Sequence, residues 1–180
     1  MSIRPIKLQS GATPTMEGAG VHLHRVFGFG DTDMFDPFLM MDDFRNDDPE
    51  QYLKGFPWHP HRGIETITYV LKGNVEHADS LGNKGMLSDG DVQWMTAGSG
   101  IIHQEMPTGN AAGQMHGFQL WANLPRDQKM CTPRYQDVKS ADIASLTDDD
   151  GTNIRVIAGD YRGYRGPVDG IDTDPIYLDI

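Results

Sequence analysis

The segment GFPWHPHRGIETITYVLKG, residues 55–73, carries two histidines at the head of a run in which apolar and polar residues alternate. His59 and His61 stand two residues apart with Pro60 between them. Because side chains two apart in a β-strand project from the same face, both imidazoles should point in one direction. Proline cannot donate a ladder hydrogen bond and occurs at the start or edge of a strand, so we expect this pair where a site opens to solvent.

A second pair with the same spacing, His103 and Glu105, follows a glycine-rich bend in GIIHQEMP, residues 100–107. Two such pairs facing each other would surround one point with three imidazoles and one carboxylate. That ligand set suits Fe(II), Mn, Ni, Co, Cu or Zn, and ligand type alone does not choose among them. A His-x-His pair on a strand is by itself often a surface feature. His22 and His24 form such a pair, and we interpret them as structural because no partner pair follows.

Short alternating runs recur along the chain and are separated by turn residues. Residues 65–85, ETITYVLKGNVEHADSLGNKG, read as strand, Gly-Asn turn, strand and a second Gly-Asn turn. Residues 21–30 and 115–125 show further short strand patterns. Strands at this spacing, joined by tight turns, predict an all-β sandwich or small barrel.

Composition narrows the classes of protein that the chain can represent. A single cysteine, Cys131, excludes an internal disulfide, and no base stands at a recognisable spacing from it. The net charge of −11 disfavours direct binding of nucleic acid, which needs a basic face. No apolar run approaches the ~20 residues of a membrane span, and residues 1–11 lack the apolar core of a secretory signal. We therefore expect a cytoplasmic protein without membrane contact.

Longer motifs resemble a known family. HPHRGIETITYVLKG resembles the first cupin motif, and GDVQWMTAGSGIIHQEMP, residues 90–107, resembles the second in the form peculiar to pirins. DPFLMMDDF, FQLWANLP and KMCTPRYQDV are also similar to pirin sequence. The resemblance runs from about His24 to the C-terminus. It implies an all-β cupin fold, a double-stranded β-helix or jelly-roll barrel, that binds a divalent metal with Fe(II) as the expected ion.

The resemblance also implies roles for individual residues. The metal ligands of the family match His59, His61, His103 and Glu105, and Glu105 is the expected catalytic carboxylate. In many cupins the glutamate of the first motif, here Glu65, is itself a ligand. Since Glu65 lies four residues after His61, it shares that strand face if no bulge intervenes. We expect Glu65 to support the ligands or, as the alternative, to replace Glu105 among them.

Alternation along the predicted strands gives candidate pocket walls. These are Phe56, Gln93, Trp94, Met95, Gln119 and Trp121. Each of them could equally belong to the core of the barrel. His77 and His116 also lie in predicted strands, where a hydrogen-bonded structural histidine is the simpler interpretation.

Two functions follow from the resemblance. The first is an iron-dependent dioxygenase of the quercetin 2,3-dioxygenase type, in which the hydroxyl and carbonyl of a flavonol-like substrate coordinate the metal. Glu105, or Glu65 nearby, would then accept the hydroxyl proton. The alternative is a non-catalytic, iron-dependent regulator that binds a protein partner. Both use the same ligands, so the motifs do not separate an enzyme from a regulator.

Pirins contain two cupin barrels in tandem, which suggests a division of the chain. Residues 1–135 should form the N-terminal cupin domain, and residues 136–180 resemble the linker and first strands of the second barrel, which is otherwise missing. The final residues, PIYLDI, look like a strand with nothing after them to pair with. We therefore expect Ile176, Leu178 and Ile180 to pack onto a second copy in a homodimer.

Overall fold

The computed structural model describes residues 5–180, and these residues form β-strands with very little helix. The first four residues of the predicted N-terminal domain lie outside the described part. The strands are β1 (Thr13–Glu17), β2 (Val21–Phe27), β3 (Phe38–Asp43), β4 (Phe56–His61), β5 (Ile64–Lys72), β6 (Val75–Asp79), β7 (Lys84–Leu87), β8 (Val92–Thr96), β9 (Ile101–Pro107), β10 (His116–Asn123), β11 (Arg134–Val138), β12 (Ala144–Thr147), β13 (Asn153–Ala158), β14 (Asp160–Tyr161), β15 (Tyr164–Arg165) and β16 (Tyr177–Asp179). The prediction of an all-β chain is confirmed.

Helical structure between residues 5 and 180 is limited to short turns. They are α1 (Thr32–Phe35) and three 3₁₀ turns at Phe29–Asp31, Pro49–Gln51 and Ser140–Asp142. None of these helices is long and apolar enough to cross a membrane.

Two antiparallel sheets form the barrel. The larger sheet has seven strands in the order β1-β2-β3-β10-β5-β8-β11, and the smaller has four in the order β4-β9-β6-β7. Their facing sides share a core, because Val21 and Val70 of the larger sheet cluster with Val75 and Leu87 of the smaller one. A hydrogen bond from Thr68 on β5 to a residue of β9 also joins the two sheets. This double-sheet architecture encloses the interior in which the site lies.

The outer face of the seven-stranded sheet is covered over β5 and β8. Ile67, Tyr69 and Trp94 cluster there with Val138, Ile157 and other residues of the C-terminal segment. Strand β5 is therefore packed on both faces, and its residues 65–70 are all buried instead of alternating between core and solvent. Because Thr66 and Thr68 lie on the inner face and Ile67 and Tyr69 on the outer one, this part of the sequence still alternates.

The predicted boundary between residues 135 and 136 falls inside a strand. Strand β11 spans this boundary and pairs with β8 from Arg134 to Val138, so it completes the larger sheet. Beyond it, β12, β13 and β16 form a three-stranded sheet of their own. The assignment of this last segment to a second cupin barrel stays a prediction.

The expectation for the final strand was wrong. Strand β16 pairs with β13, with Leu178 opposite Val156 and Asp179 opposite Arg155. In addition, Asp179 accepts a short hydrogen bond, 2.5 Å long, from the hydroxyl of Tyr69. The strand thus finds its partner earlier in the same chain, which removes the argument from which we predicted a homodimer.

Candidate metal centre

Two neighbouring strands hold the three predicted histidine ligands. Strand β4 is an edge strand of the four-stranded sheet and pairs with β9, which sets His59 directly opposite His103. Pro60 lies opposite Ile102 and is exposed at this edge, where its missing amide hydrogen leaves a ladder hydrogen bond unformed at low cost. The two-residue spacing then brings His61 to the same face. The antiparallel register therefore assembles the triad that the spacing predicted.

The three imidazoles converge on one point. One ligand nitrogen from each of His59, His61 and His103 lies within 4.8 Å of the other two. The ring centroids of His59 and His103 are 4.5 Å apart, and those of His61 and His103 are 5.0 Å apart. Three nitrogen donors this close can share a single metal ion.

A hydrogen bond fixes the tautomer of His59. Its Nδ1 lies 2.8 Å from the carbonyl oxygen of Pro57. Because a carbonyl oxygen can only accept, Nδ1 carries the proton and donates it, and Nε2 keeps its lone pair. A metal-bound histidine is commonly oriented by such a bond from its other nitrogen. The strand therefore presents His59 in the form that binds a metal.

Burial keeps the other two imidazoles neutral. Burial is the largest cause that lowers the pKa of His103 to about 3, and electrostatic interactions with His59 and His77 add to it. Burial likewise lowers the pKa of His61 to about 4, with further contributions from His103 and His59 and a partial offset from Glu105. Neutral imidazoles retain a lone pair, which is what a metal ion requires.

His103 gives the strongest sign that this point is built to bind a further group. The side chain is 1% exposed, and neither Nδ1 nor Nε2 has a hydrogen-bond partner among the described residues. A buried polar atom without a partner costs free energy, so two on one ring need an explanation. A metal ion held with His59 and His61 would satisfy one of these nitrogens. The donor set thus fits a divalent transition metal.

Glu105 lies beside the triad, but it does not belong to the group of ligand atoms that lie within 4.8 Å of one another. It is two residues after His103 on β9, is 7% exposed and lines the cavity next to His59 and His61. Its Oε1 accepts a hydrogen bond of 2.9 Å from the hydroxyl of Thr68. Its role as fourth ligand stays a prediction. Thr68 was missed from the sequence, although strand alternation sets it on the opposite face from Glu65.

A cavity of about 750 Å³ opens in front of these residues. Its volume lies within the range of pockets that bind small molecules, roughly 300–1,000 Å³. Three of the predicted pocket residues, Phe56, Gln119 and Trp121, line it. The ring of Trp121 meets His61 edge-on, with the centroids 5.0 Å apart. The cavity therefore combines an aromatic wall with the candidate ligands.

An ion pair that the sequence did not reveal forms another part of the wall. Arg25 donates to both carboxylate oxygens of Asp42 at 2.8 Å and to Glu17 at 2.9 Å. The hydrogen bond to Asp42 is the largest cause that raises the pKa of Arg25. Asp42 is 3% exposed, so its charge is balanced within the wall. Arg25 is already engaged, and the cavity wall at this point favours an uncharged ligand over an anionic one.

The other three predicted pocket residues lie away from the cavity. Trp94 faces the outer core of the larger sheet, and Met95 packs with Ala97 and Ile101. Gln93 donates a hydrogen bond of 2.9 Å to Asp137 and lies 2.9 Å from His77. Trp94 is on the outer face of the sheet, whereas Gln93 and Met95 lie opposite Thr68 and Thr66 on the inner face but do not line the cavity. Alternation did not tell us which face meets the cavity, nor how far along each strand the cavity extends.

Glu65 projects from the outer face of its strand, away from the metal centre. It lies on β5 opposite Thr96, whose hydroxyl donates a hydrogen bond of 2.7 Å to its Oε1. Burial is the main cause that raises its pKa. The expectation that it shares a face with His61 fails because β4 ends at His61 and the chain turns at Gly63, where φ is +67°. Glu65 is therefore not a candidate ligand in this structure.

The remaining histidines lie outside the triad. His22 and His24 are exposed on β2. His77 is 6% exposed, and its Nε2 meets Gln93 while Nδ1 has no partner among the described residues. Nε2 of His116 also lacks a partner there. Of the two histidines predicted to be hydrogen-bonded structural residues, His77 thus has a partner at one nitrogen, Nε2.

The sequence and the structure are similar to those of pirins. The sequence model of the pirin family matches residues 20–122. A pirin-like protein of Caulobacter vibrioides is 46% identical over 181 residues, a match that covers 100% of this chain and 65% of that protein. Among the curated relatives that it matches, the chain spans between 49% and 65% of their length.

Solved structures support the same relationship. A quercetin 2,3-dioxygenase from Acinetobacter baumannii superposes with a TM-score of 0.75 at 34% identity, covering 88% of this chain and 58% of that one. The bacterial pirin YhhW from Escherichia coli, in complex with nickel(II), superposes with a TM-score of 0.52 at 26% identity. That match covers 81% of this chain and 68% of YhhW. The fold is of the cupin type. The chain belongs to the pirin family.

Proposed function

We propose that the chain binds one divalent metal ion through His59, His61 and His103 and acts as a dioxygenase on a flavonol-like substrate. The observation that carries this proposal is the buried His103 ring, whose two nitrogens have no partner among residues 5–180. We expect Fe(II), with Mn, Ni, Co, Cu and Zn as alternatives that the same ligands accept. The nickel(II) complex of the similar pirin YhhW supports the binding of a divalent metal ion by this chain.

The chain's own residues supply binding, orientation and a proton acceptor. When bound, the metal would serve as template and electron conduit between substrate and oxygen. Phe56 and Trp121 offer flat apolar walls to an aromatic ring system. The carboxylate of Glu105, which lines the same cavity, would accept the proton of the substrate hydroxyl at an oxygen atom.

The pairing of charges in the wall supports the substrate class. Arg25 is held by Asp42 and Glu17, so its guanidinium is not free to bind an anion. Arg62, the other arginine that lines the cavity, donates a hydrogen bond from Nε to the carbonyl oxygen of Ser99. A neutral, largely aromatic molecule with adjacent hydroxyl and carbonyl oxygens fits such a cavity better than a carboxylate or phosphate. The relative from Acinetobacter baumannii that bears the name quercetin 2,3-dioxygenase supports quercetin as the first compound to test.

Oxygen uptake tests the proposal. The Fe(II)-loaded full chain should consume oxygen with quercetin and release carbon monoxide, and His103→Ala should abolish both because it removes a ligand. His24→Ala, which changes an exposed histidine outside the site, should behave like the wild type. Absence of uptake in wild-type protein that demonstrably holds iron would contradict the dioxygenase and favour the regulatory alternative, in which the same site acts through a protein partner.

A further inference from the structure

The hydroxyl of Thr68 contacts two polar side chains beside the candidate metal centre. Gln119 belongs to β10 of the larger sheet, and Glu105 belongs to β9 of the smaller one. Oγ1 of Thr68 lies 2.9 Å from Oε1 of Glu105 and 2.7 Å from Oε1 of Gln119. Thr68 is 3% exposed and Glu105 is 7% exposed, and all three residues line the cavity. Since Thr68 belongs to β5 and Glu105 to β9, this bond spans the interior between the two sheets.

The chemistry of these groups fixes the direction of the hydrogen bonds. A hydroxyl has one proton and can donate it to a single strong acceptor. An ionised carboxylate is a stronger acceptor than an amide oxygen, so Thr68 donates to Glu105. Gln119 then has to present its amide nitrogen, since the oxygen and nitrogen of an amide are distinguished by their partners. The chain of donors runs from Gln119 through Thr68 to Glu105.

This arrangement occupies one oxygen of Glu105 and leaves the other available. Among the described residues, Thr68 is the one hydrogen-bond donor that we find on this carboxylate. The same carboxylate lines one cavity together with His59 and His61. A carboxylate with one oxygen anchored can turn only about that anchor, so its second oxygen has a restricted set of positions facing the cavity.

We propose that Thr68, supported by Gln119, is a positioning residue that orients Glu105 so that its second oxygen is presented to the metal ion held by the three histidines. The inference rests on the metal site of the proposed function and not on its substrate. Groups that hydrogen-bond to metal ligands in this way orient them and strengthen binding.

The chain contains a matched control for this hydrogen bond. Thr96 donates 2.7 Å to Oε1 of Glu65, which is the same kind of bond between a buried threonine and a buried glutamate. The two pairs lie on opposite faces of the larger sheet, and Glu65 is directed away from the triad. Loss of the hydroxyl should cost each pair a buried hydrogen bond, but only the loss at Thr68 should reach the metal.

The test compares nickel(II) binding by three full-length variants. Thr68→Val removes the hydroxyl and keeps the shape, Thr68→Ser keeps the hydroxyl, and Thr96→Val is the control. Competition with a chelator gives the affinity for nickel(II), and the visible spectrum of cobalt(II)-loaded protein reports a change in ligand number or geometry. We expect Thr68→Val to weaken binding about 10-fold or more and to alter the cobalt spectrum. Thr68→Ser and Thr96→Val should match the wild type in both measurements.

Two results would overturn the inference. One is wild-type affinity with an unchanged cobalt spectrum in Thr68→Val. The other is an equal loss of affinity in Thr96→Val, which would indicate a general effect of stability. Gln119→Met provides a second variant that leaves Thr68 intact and adds no charge to the cavity. It removes the group that donates to the hydroxyl of Thr68, so it should weaken nickel(II) binding, as Thr68→Val does. Unchanged binding would contradict the supporting role of Gln119.

The outcome is separable from the dioxygenase proposal. If Thr68→Val loses metal affinity while no protein consumes oxygen with quercetin, the positioning role stands and the dioxygenase falls. If the wild type consumes oxygen and Thr68→Val binds metal like the wild type, the dioxygenase stands and the positioning role falls.

Discussion

His22 and His24 on β2 have the same spacing as His59 and His61 on β4, yet the two pairs have different surroundings. The β2 pair is exposed, and the residue opposite His22 is Met16 on the edge strand β1. In the β4 pair His61 is buried, and the residue opposite His59 is His103. Spacing along one strand supplies two donors on one face. The strand that pairs with it decides whether a third donor and a buried cavity complete a site.

The largest expected effect is the loss of the third donor. His103→Ala should lower metal affinity by at least about 100-fold, because loss of a ligand should cost more than the 10–100-fold that loss of a supporting group costs. Equilibrium dialysis with nickel(II) measures this. The variant His24→Ala should bind nickel(II) as the wild type does. An equal loss of affinity in that variant would mean that the exposed pair on β2 also binds the metal.

An intermediate effect is expected on stability in acid. The pKa values of His61 and His103 in the folded protein, about 4 and about 3, lie below the ~6.5 of an unfolded histidine. The unfolded chain therefore binds more protons between these values, and the metal-free protein loses stability as the pH falls from about 6.5. At pH 5 the loss should be about 2 kcal/mol for each histidine, since one pKa unit corresponds to about 1.4 kcal/mol.

Urea unfolding of the metal-free protein at pH 7 and pH 5 measures that loss. His103→Gln should show roughly half of the wild-type change, whereas a variant that carries both His22→Ala and His24→Ala should show all of it. A wild-type stability that stays constant between the two pH values would contradict the assignment of buried neutral imidazoles.

The smallest expected effect is a gain. Met16 is 62% exposed and lies directly opposite His22, as His103 lies opposite His59. Met16→His should therefore create a second nickel(II) site with His22 and His24. That site should be weaker than the buried one by about 10-fold or more, because its histidines are mobile and are not held by supporting groups. Titration calorimetry should detect a second ion that disappears when His22→Ala is added.

The sequence predicted the triad well because its chemistry is local in each strand. Two-residue spacing determines which side chains share a face, and Pro60 marked the strand edge. Glu65 was misjudged because face sharing ends where a strand ends, and the turn at Gly63 starts a new strand with its own orientation. The residue that does contact Glu105 is Thr68, and that contact joins two sheets.

Other features depend on packing between distant segments. Both faces of β5 and β8 are buried, so alternation could not show that Trp94 faces the C-terminal segment and not the cavity. The final strand looked unpaired because its partner, β13, precedes it in the chain and is separated from it by the short β14–β15 hairpin and a loop. The ion pair of Arg25 with Asp42 joins β2 and β3 and has no signature along the chain. Such contacts arise from tertiary register, which local patterns do not specify.

The most direct measurement is an anomalous difference map from crystals of the full chain loaded with nickel(II). We predict one strong peak per chain, within bonding distance of nitrogen atoms from His59, His61 and His103, with an oxygen of Glu105 turned towards it. A map with no peak among these three histidines, or with its peak at His22 and His24 instead, would contradict the account.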